Sequence, residues 1–193
     1  MLVDSGDAVE RVWREWALEH GLEPDAVARA SHGVPSPAVV ARVAPHLSSP
    51  EEIDRIERRH AATGGRALPG AAELLACAAA VVTSCSPPLA AARLRAAGLP
   101  TPDVLITSDA TKRGKPYPDP YLAAAAALGA DPVDCLVIED APAGVAAARA
   151  AGMIVWAVTT THAASELDGA DRVLDGLDDV CTLLRRRTWT AAE

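Results

Sequence analysis

From Leu68 onward the chain repeats one pattern: a short apolar run, a loop, then a helical segment. The apolar runs fall at 79–83 (AAVVT), 103–107 (DVLIT), 135–139 (CLVIE), 154–158 (IVWAV) and 171–174 (DRVL). Helical segments are expected between them, near 70–77, 87–97, 120–128 and 142–151. Runs that are apolar on both faces and alternate with helices predict a parallel sheet covered on both sides. The N-terminal third differs. Val9, Val12, Trp13 and Trp16 recur at helical spacing, with Asp4 or Ser5 placed to cap them. Further helices are expected at 24–31, 37–44 and 50–62, punctuated by Pro35, Pro37, Pro45 and Pro50. No strand is expected between Gly6 and Arg66, and "TGGRALPG" reads as a linker.

Composition narrows the classes. The formal charge is −8, which argues against nucleic acid and anionic membranes as partners. Arg185, Arg186 and Arg187 follow an apolar helical stretch and read as cations at a helix C-terminus. No window has the ~20 apolar residues of a membrane span, and the N-terminus lacks the pattern of a signal peptide. Cys77, Cys85, Cys135 and Cys181 have neither zinc spacing nor the density of a disulfide framework, which fits a reducing cytoplasm. The core must rest on Leu, Val, Ile and Ala, because there is no Phe.

In open parallel sheets ligands bind beyond the C-terminal ends of the strands. Three of those ends carry chemistry. "VVTSCS" brings Thr83, Ser84 and Ser86, with Cys85 among them, to the start of a helix, where hydroxyls and amides suit a phosphate oxygen. The same residues serve equally as plain N-caps. "TKRGKPYPDPY" sets Lys115 in a loop stiffened by Pro116 and Pro118, with Asp119 as the expected cap of the next helix. A lysine so held can neutralise a phosphate and a neighbouring carboxylate, although a loop lysine is commonly just solvated. "CLVIEDAPAG" ends an apolar run in Glu139 and Asp140. Adjacent carboxylates at a buried strand end are costly without a cation against them, and they suit Mg²⁺, which takes few carboxylates plus water and phosphate. The alternative is that Asp140 caps the following helix and Glu139 faces solvent. Cys85 reads as a small packed side chain, and Trp13, Trp16 and Trp156 as core.

The order hydroxyl, lysine, acidic pair resembles the haloacid dehalogenase-like hydrolases. "LPGAAELL", "VVTSCS", "RGKPYPDPY" and "VIEDAPAGVAAARAAGM" are similar to that family's successive motifs and span nearly the whole chain. "SHGVP" (31–35), "EDAPAG" and "VTTTH" (158–162) resemble phosphatases of small polyol and sugar phosphates, such as glycerol phosphatases and 2-deoxyglucose-6-phosphatases. The resemblance implies an α/β, Rossmann-like parallel core (residues 1–5 and 67–193) with an inserted helical cap (6–66). It implies that Ser84, or Thr83 beside it, binds the transferring phosphoryl group. Lys115 would neutralise phosphate and nucleophile, and Asp140, aided by Glu139, would hold Mg²⁺. Cys85 and Ser86 would line the substrate, which His32 and Gly33 would approach from the cap. The implied partner is a small phosphorylated metabolite, with the protein a monomer or weak homodimer.

The family's first motif is a strand ending in an aspartate nucleophile with an acid/base aspartate two residues on. "MLVDS" matches only its tail, so this reading expects both aspartates and their strand upstream of Met1. A phosphosugar mutase and a non-catalytic phosphate- or Mg²⁺-binding homologue are the competing readings. Dehalogenase activity is disfavoured, since that branch needs no acidic pair for Mg²⁺. A receiver-type signalling domain would carry its acidic residues first and its lysine last.

Overall fold

A computed structural model describes residues 1–31 and 33–186. The first two elements of the sheet region are very short. Strand β1 (Val3–Asp4) pairs antiparallel with β2 (Arg66–Ala67), so the two ends of the N-terminal helical segment leave and return side by side. Residue 66–67 pairing is the one strand in the stretch read as a linker. Its signal is too short to show as alternation.

Between β1 and β2 lie α1 (Gly6–Glu19), α2 (Pro24–Ser31), α3 (Ser36–Val43) and α4 (Pro50–Ala62). Helix α1 starts after Ser5, whose side chain makes no capping bond, whereas the Ser49 hydroxyl accepts from the Glu52 amide at the start of α4. These helices close a core of their own. Trp13, Trp16, Ala17, Val27, Val39, Val40 and Ile56 are buried together, with Trp13 and Trp16 edge to face at 5.5 Å. Trp16 sets its indole N–H on Glu52 at 2.6 Å, which leaves no buried donor unpaired at the tryptophan.

The rest alternates helix and strand as far as β6: α5 (Ala71–Cys77), β3 (Val81–Val82), α6 (Pro87–Ala96), β4 (Leu105–Ile106), α7 (Asp119–Leu128), β5 (Leu136–Glu139), α8 (Pro142–Ala150), β6 (Ile154–Val158), then β7 (Arg172–Leu174) and α9 (Leu177–Arg186). β5, β6 and β7 form a parallel sheet in that order, in register Ile138↔Trp156 and Trp156↔Arg172. β6 shows why its sequence has no polar face. Val155 and Ala157 pack with Tyr121, Ala125 and Val145 on one side, while Trp156 and Val158 pack with Leu74, Leu94 and Val180 on the other.

β3 pairs parallel with β4 as a second, separate piece of sheet. The amides of Val81 and Thr83 bond the carbonyls of Val104 and Ile106. Backbone polar groups alternate sides along a strand, so those of Val82 point away from β4. On β5 the Cys135 carbonyl accepts from the Ile154 amide, so the backbone groups of Leu136 and Ile138 point away from β6. Between these two inward edges lies a cavity of about 610 Å³. It is lined by Met1, Val82 and Thr83 on one side and by Leu136, Val137 and Ile138 on the other.

Candidate active site

The strand ends converge on Glu139 and Asp140, which close β5 at 5 % and 8 % exposure. The Glu139 carboxylate is fully engaged by the protein. Oε1 accepts from the Lys115 ammonium and from the Tyr121 hydroxyl at 2.6 Å. Oε2 accepts from the amides of Asp140 at 2.9 Å and Ala141 at 3.2 Å. Burial pushes its pKa up. The adjacent Lys115 charge, with the bonds from Lys115, Tyr121 and the Asp140 amide, more than offsets this and holds it below the ordinary range. The Tyr121 phenol moves the other way, raised well above its ordinary value first by burial and then by the Glu139 charge. Glu139 is therefore ionised and Tyr121 is a donor.

Lys115 ties the two pieces of sheet together. Its Nζ donates to Glu139 at the end of β5 and to the Val82 carbonyl of β3 at 3.3 Å, and it stands 5.0 Å from the centre of the Tyr121 ring. The loop that carries it is braced by Arg113, whose guanidinium grips Asp119 through two bonds at 3.1 and 3.0 Å. Asp119 opens α7 without the expected side-chain cap: the helix is capped one residue earlier at Pro118, whose carbonyl accepts from the Tyr121 and Leu122 amides, and Arg113 occupies the Asp119 carboxylate.

The hydroxyl motif follows β3. Thr83 Oγ1 accepts from the Cys85 amide at 3.2 Å, which fixes the turn, and Ser84 sits half-buried in it. Ser86 precedes α6 as its N-cap but makes no capping bond. Pro87 and Pro88 occupy the positions after it, and its hydroxyl donates to Glu57 of α4. Cys85 faces the cavity, with Arg93 Nη1 at 3.0 Å from its sulfur. Of the two residues expected from the helical segment, Gly33 stands over the strand end. A side chain there would lie 3.8 Å from Ala141, and its φ of +67° suits glycine. His32 lies outside the described residues.

Asp140 differs from its neighbour in that its carboxylate is held by fewer protein donors. Oδ2 lies 3.2 Å from the Met1 amino nitrogen and accepts from Thr160 at 3.3 Å. Its backbone carbonyl is held by Thr161 Oγ1 at 2.7 Å and His162 Nδ1 at 2.9 Å. The Asp140 carboxylate keeps acceptor capacity and fits a metal ion, whereas Glu139, with four donors on its two oxygens, has no oxygen left for one. Among the described residues no three Asp, Glu, His or Cys side chains gather as a ligand set. A divalent ion here would take one carboxylate from this chain and complete its shell with other oxygens.

Four participants lie inside quoted motifs without a role assigned from sequence: Tyr121, Thr160, Thr161 and His162. "VTTTH" stands out at a strand end, but nothing in it says that it grips Asp140. Tyr121 looks like any apolar residue in the first turn of a helix.

A family model described as haloacid dehalogenase-like hydrolase matches residues 2–152. The chain belongs to the haloacid dehalogenase-like hydrolase family. It is 42 % identical over 190 residues to hexitol phosphatase A of Escherichia coli K12, covering 93 % of this chain and 88 % of that protein. It is 31 % identical over 180 residues to glycerol-1-phosphate phosphohydrolase 2 of Saccharomyces cerevisiae, covering 83 % and 71 %. A crystal structure of a hydrolase from Pseudomonas syringae superposes with a TM-score of 0.79 at 27 % identity, covering 97 % of this chain and 94 % of that one. The family's fold and its phosphoric monoester hydrolase class are thus shown for this chain.

Proposed function

We propose that this haloacid dehalogenase-like chain is the body of a Mg²⁺-dependent phosphatase of small phosphorylated polyols or sugars. The carrying observation is the Lys115 ammonium, fixed at the facing ends of β3 and β5 beside Asp140. A phosphate between these strand ends would meet one rigid positive charge. Pro87 and Pro88 have no N–H, so the donors in the neighbouring turn are the amides of Ser84 and Ser86 and the hydroxyls of Thr83 and Ser84. The Cys85 amide is spent on Thr83, which keeps that turn in shape. Asp140 would hold Mg²⁺ directly, and the ion would add positive charge at the phosphate when bound. Glu139 would aid it by anchoring the Asp140 amide and Lys115. The helical segment 6–66 is the cap, and Gly33, above Ala141, would meet the non-phosphate part of the substrate. The enzyme works in the cytoplasm on a soluble metabolite.

The nucleophile and the acid/base aspartate are carried on a strand that fills the cavity between β3 and β5. Three observations support this. The inward backbone groups of Leu136 and Ile138, and the inward amide of Val82, whose carbonyl accepts from Lys115, want a parallel partner. The cavity lining is mostly apolar, as the flanks of a central strand should be. A chain leading into Met1 would also bring its last residues beside Asp140. With that strand in place the reaction runs as two in-line displacements through an aspartyl-phosphate, the second freeing inorganic phosphate.

The test is phosphate release from hexitol phosphates and glycerol phosphate in the presence of Mg²⁺. It compares the chain 1–193 alone with the same chain preceded by a strand ending in two aspartates one residue apart. Turnover by the longer protein only, lost in Lys115→Ala, supports the reading. Mg²⁺ and phosphate binding with no turnover in either form would make the protein a binding homologue. Phosphate migrating within a sugar without release would make it a mutase.

A further inference from the structure

We infer that Tyr121 is a positioning residue for Lys115, acting through Glu139 and never touching the substrate. The inference rests on the reading above, in which Lys115 meets the phosphate. Its basis is geometric. The ammonium and the phenol hydroxyl share Glu139 Oε1, while Oε2 is held by two amides. The carboxylate is thus pinned from β5, α7 and the 115 loop at once. Remove the hydroxyl, and Oε1 faces Tyr121's apolar neighbours Ala125 and Val145 with one donor gone. A buried carboxylate that loses a donor turns to find another. The lysine at the end of a flexible four-carbon stem follows it or is released.

Gly144 of α8 completes the device. The Glu139 carboxylate fills the space a side chain at 144 would need, and any added Cβ would overlap it. Tyr121 and Gly144 therefore confine the same group from two helices.

The chain offers an internal reference, because its only lysines are Lys112 and Lys115. A brief pulse of an amine-acetylating reagent, read by mass spectrometry, gives the ratio of Lys115 to Lys112 modification within one folded molecule. In the wild type Lys115 should react roughly tenfold more slowly than exposed Lys112, the order expected of a charge-assisted hydrogen bond. Tyr121→Phe keeps the ring and its packing, so a purely packing role leaves the ratio unchanged and overturns the inference. A positioning role raises the ratio about fivefold, the order of one lost neutral donor. Gly144→Ala should raise it likewise with the hydroxyl still present.

The wild type supplies a measurement that needs no variant. Of the two tyrosines, Tyr121 alone should show a slowly exchanging hydroxyl proton by NMR, since Tyr117 is half exposed. A Tyr121 hydroxyl exchanging as fast as that of Tyr117 would overturn the inference. Protection of Lys115 by inorganic phosphate tests the functional reading separately. Its absence would sink that reading while leaving the tether intact, and an unchanged Tyr121→Phe ratio would do the reverse.

Discussion

The helical segment 6–62 and the β3 edge both present apolar side chains for burial, yet one is finished and the other is open. Val39, Val40, Ile56 and Trp16 are wholly buried, while Val81 and Val82 remain half-buried beside a 610 Å³ cavity. The difference is one of backbone accounting. A helix satisfies its own N–H and C=O groups, so four helices need only bury their apolar faces on one another. A strand must borrow a neighbour on each edge, and an apolar strand with one neighbour is incomplete however good its side chains are. β6, with β5 and β7 on its two sides, shows the finished state, since Val155, Ala157 and Val158 have no exposure at all.

Hydrogen exchange should give the widest separation between the two regions. Backbone amides of Trp16 and Ile56 are expected to exchange at least ~10³-fold more slowly than the Val82 amide, the span between global and local opening in a domain. Equal protection would mean that the edge is closed in solution by something else. Truncation should separate them next. Ile56→Ala is expected to cost about 3 kcal/mol in urea unfolding, the usual range for a buried aliphatic residue. Val82→Ala should cost under ~1 kcal/mol, because its methyls already border empty space. A loss at Val82 as large as at Ile56 would break the comparison.

The smallest effect concerns the junction of the two regions, where α4 lies on α6. His60 is buried against Trp13, and among the described residues its Nδ1 has no hydrogen-bond partner; nor has the buried Nε of Arg93. Burial, with the nearby positive charges of Arg93 and Arg59, lowers its pKa to about 4 from an ordinary 6.5. The unfolded chain therefore takes up a proton between pH 6.5 and 4 that the folded chain refuses. Stability from this group is complete above that window and falls as pH drops through it, by up to roughly 3 kcal/mol. Urea midpoints of wild type and His60→Leu should run parallel above pH 6.5 and shift relative to each other between pH 6.5 and 4, the wild type losing stability that the variant keeps. Curves that stay parallel down to pH 4 would show that His60 carries a charge in the folded protein.

Lys115, Glu139 and Tyr121 mark the boundary of what could be read from the chain alone. The rigid lysine loop and the acidic strand end were legible because proline stiffening and apolar alternation are local. The strand expected over 154–158 runs Ile154–Val158, and the helix expected at 50–62 runs Pro50–Ala62. What Glu139 does was not legible. Two adjacent carboxylates look alike in sequence, and only packing turns one inward to Lys115 and Tyr121 and leaves the other beside Thr160 with acceptor capacity to spare. Ser86 is a parallel case: placed as a cap or phosphate ligand by its position, it spends its hydroxyl on Glu57 from the helical segment.

By itself, then, the sequence determined the element types, their order and which strand ends bear chemistry. These follow from the spacing of apolar side chains and from the fixed φ of proline, and both act over a few residues. The tertiary structure decided the partner of each charge, the division of the sheet and the cavity between its pieces. Those depend on which groups meet across 18 to 33 residues of chain, as Tyr121 meets Glu139 and Lys115 meets Val82, and no local propensity encodes such meetings.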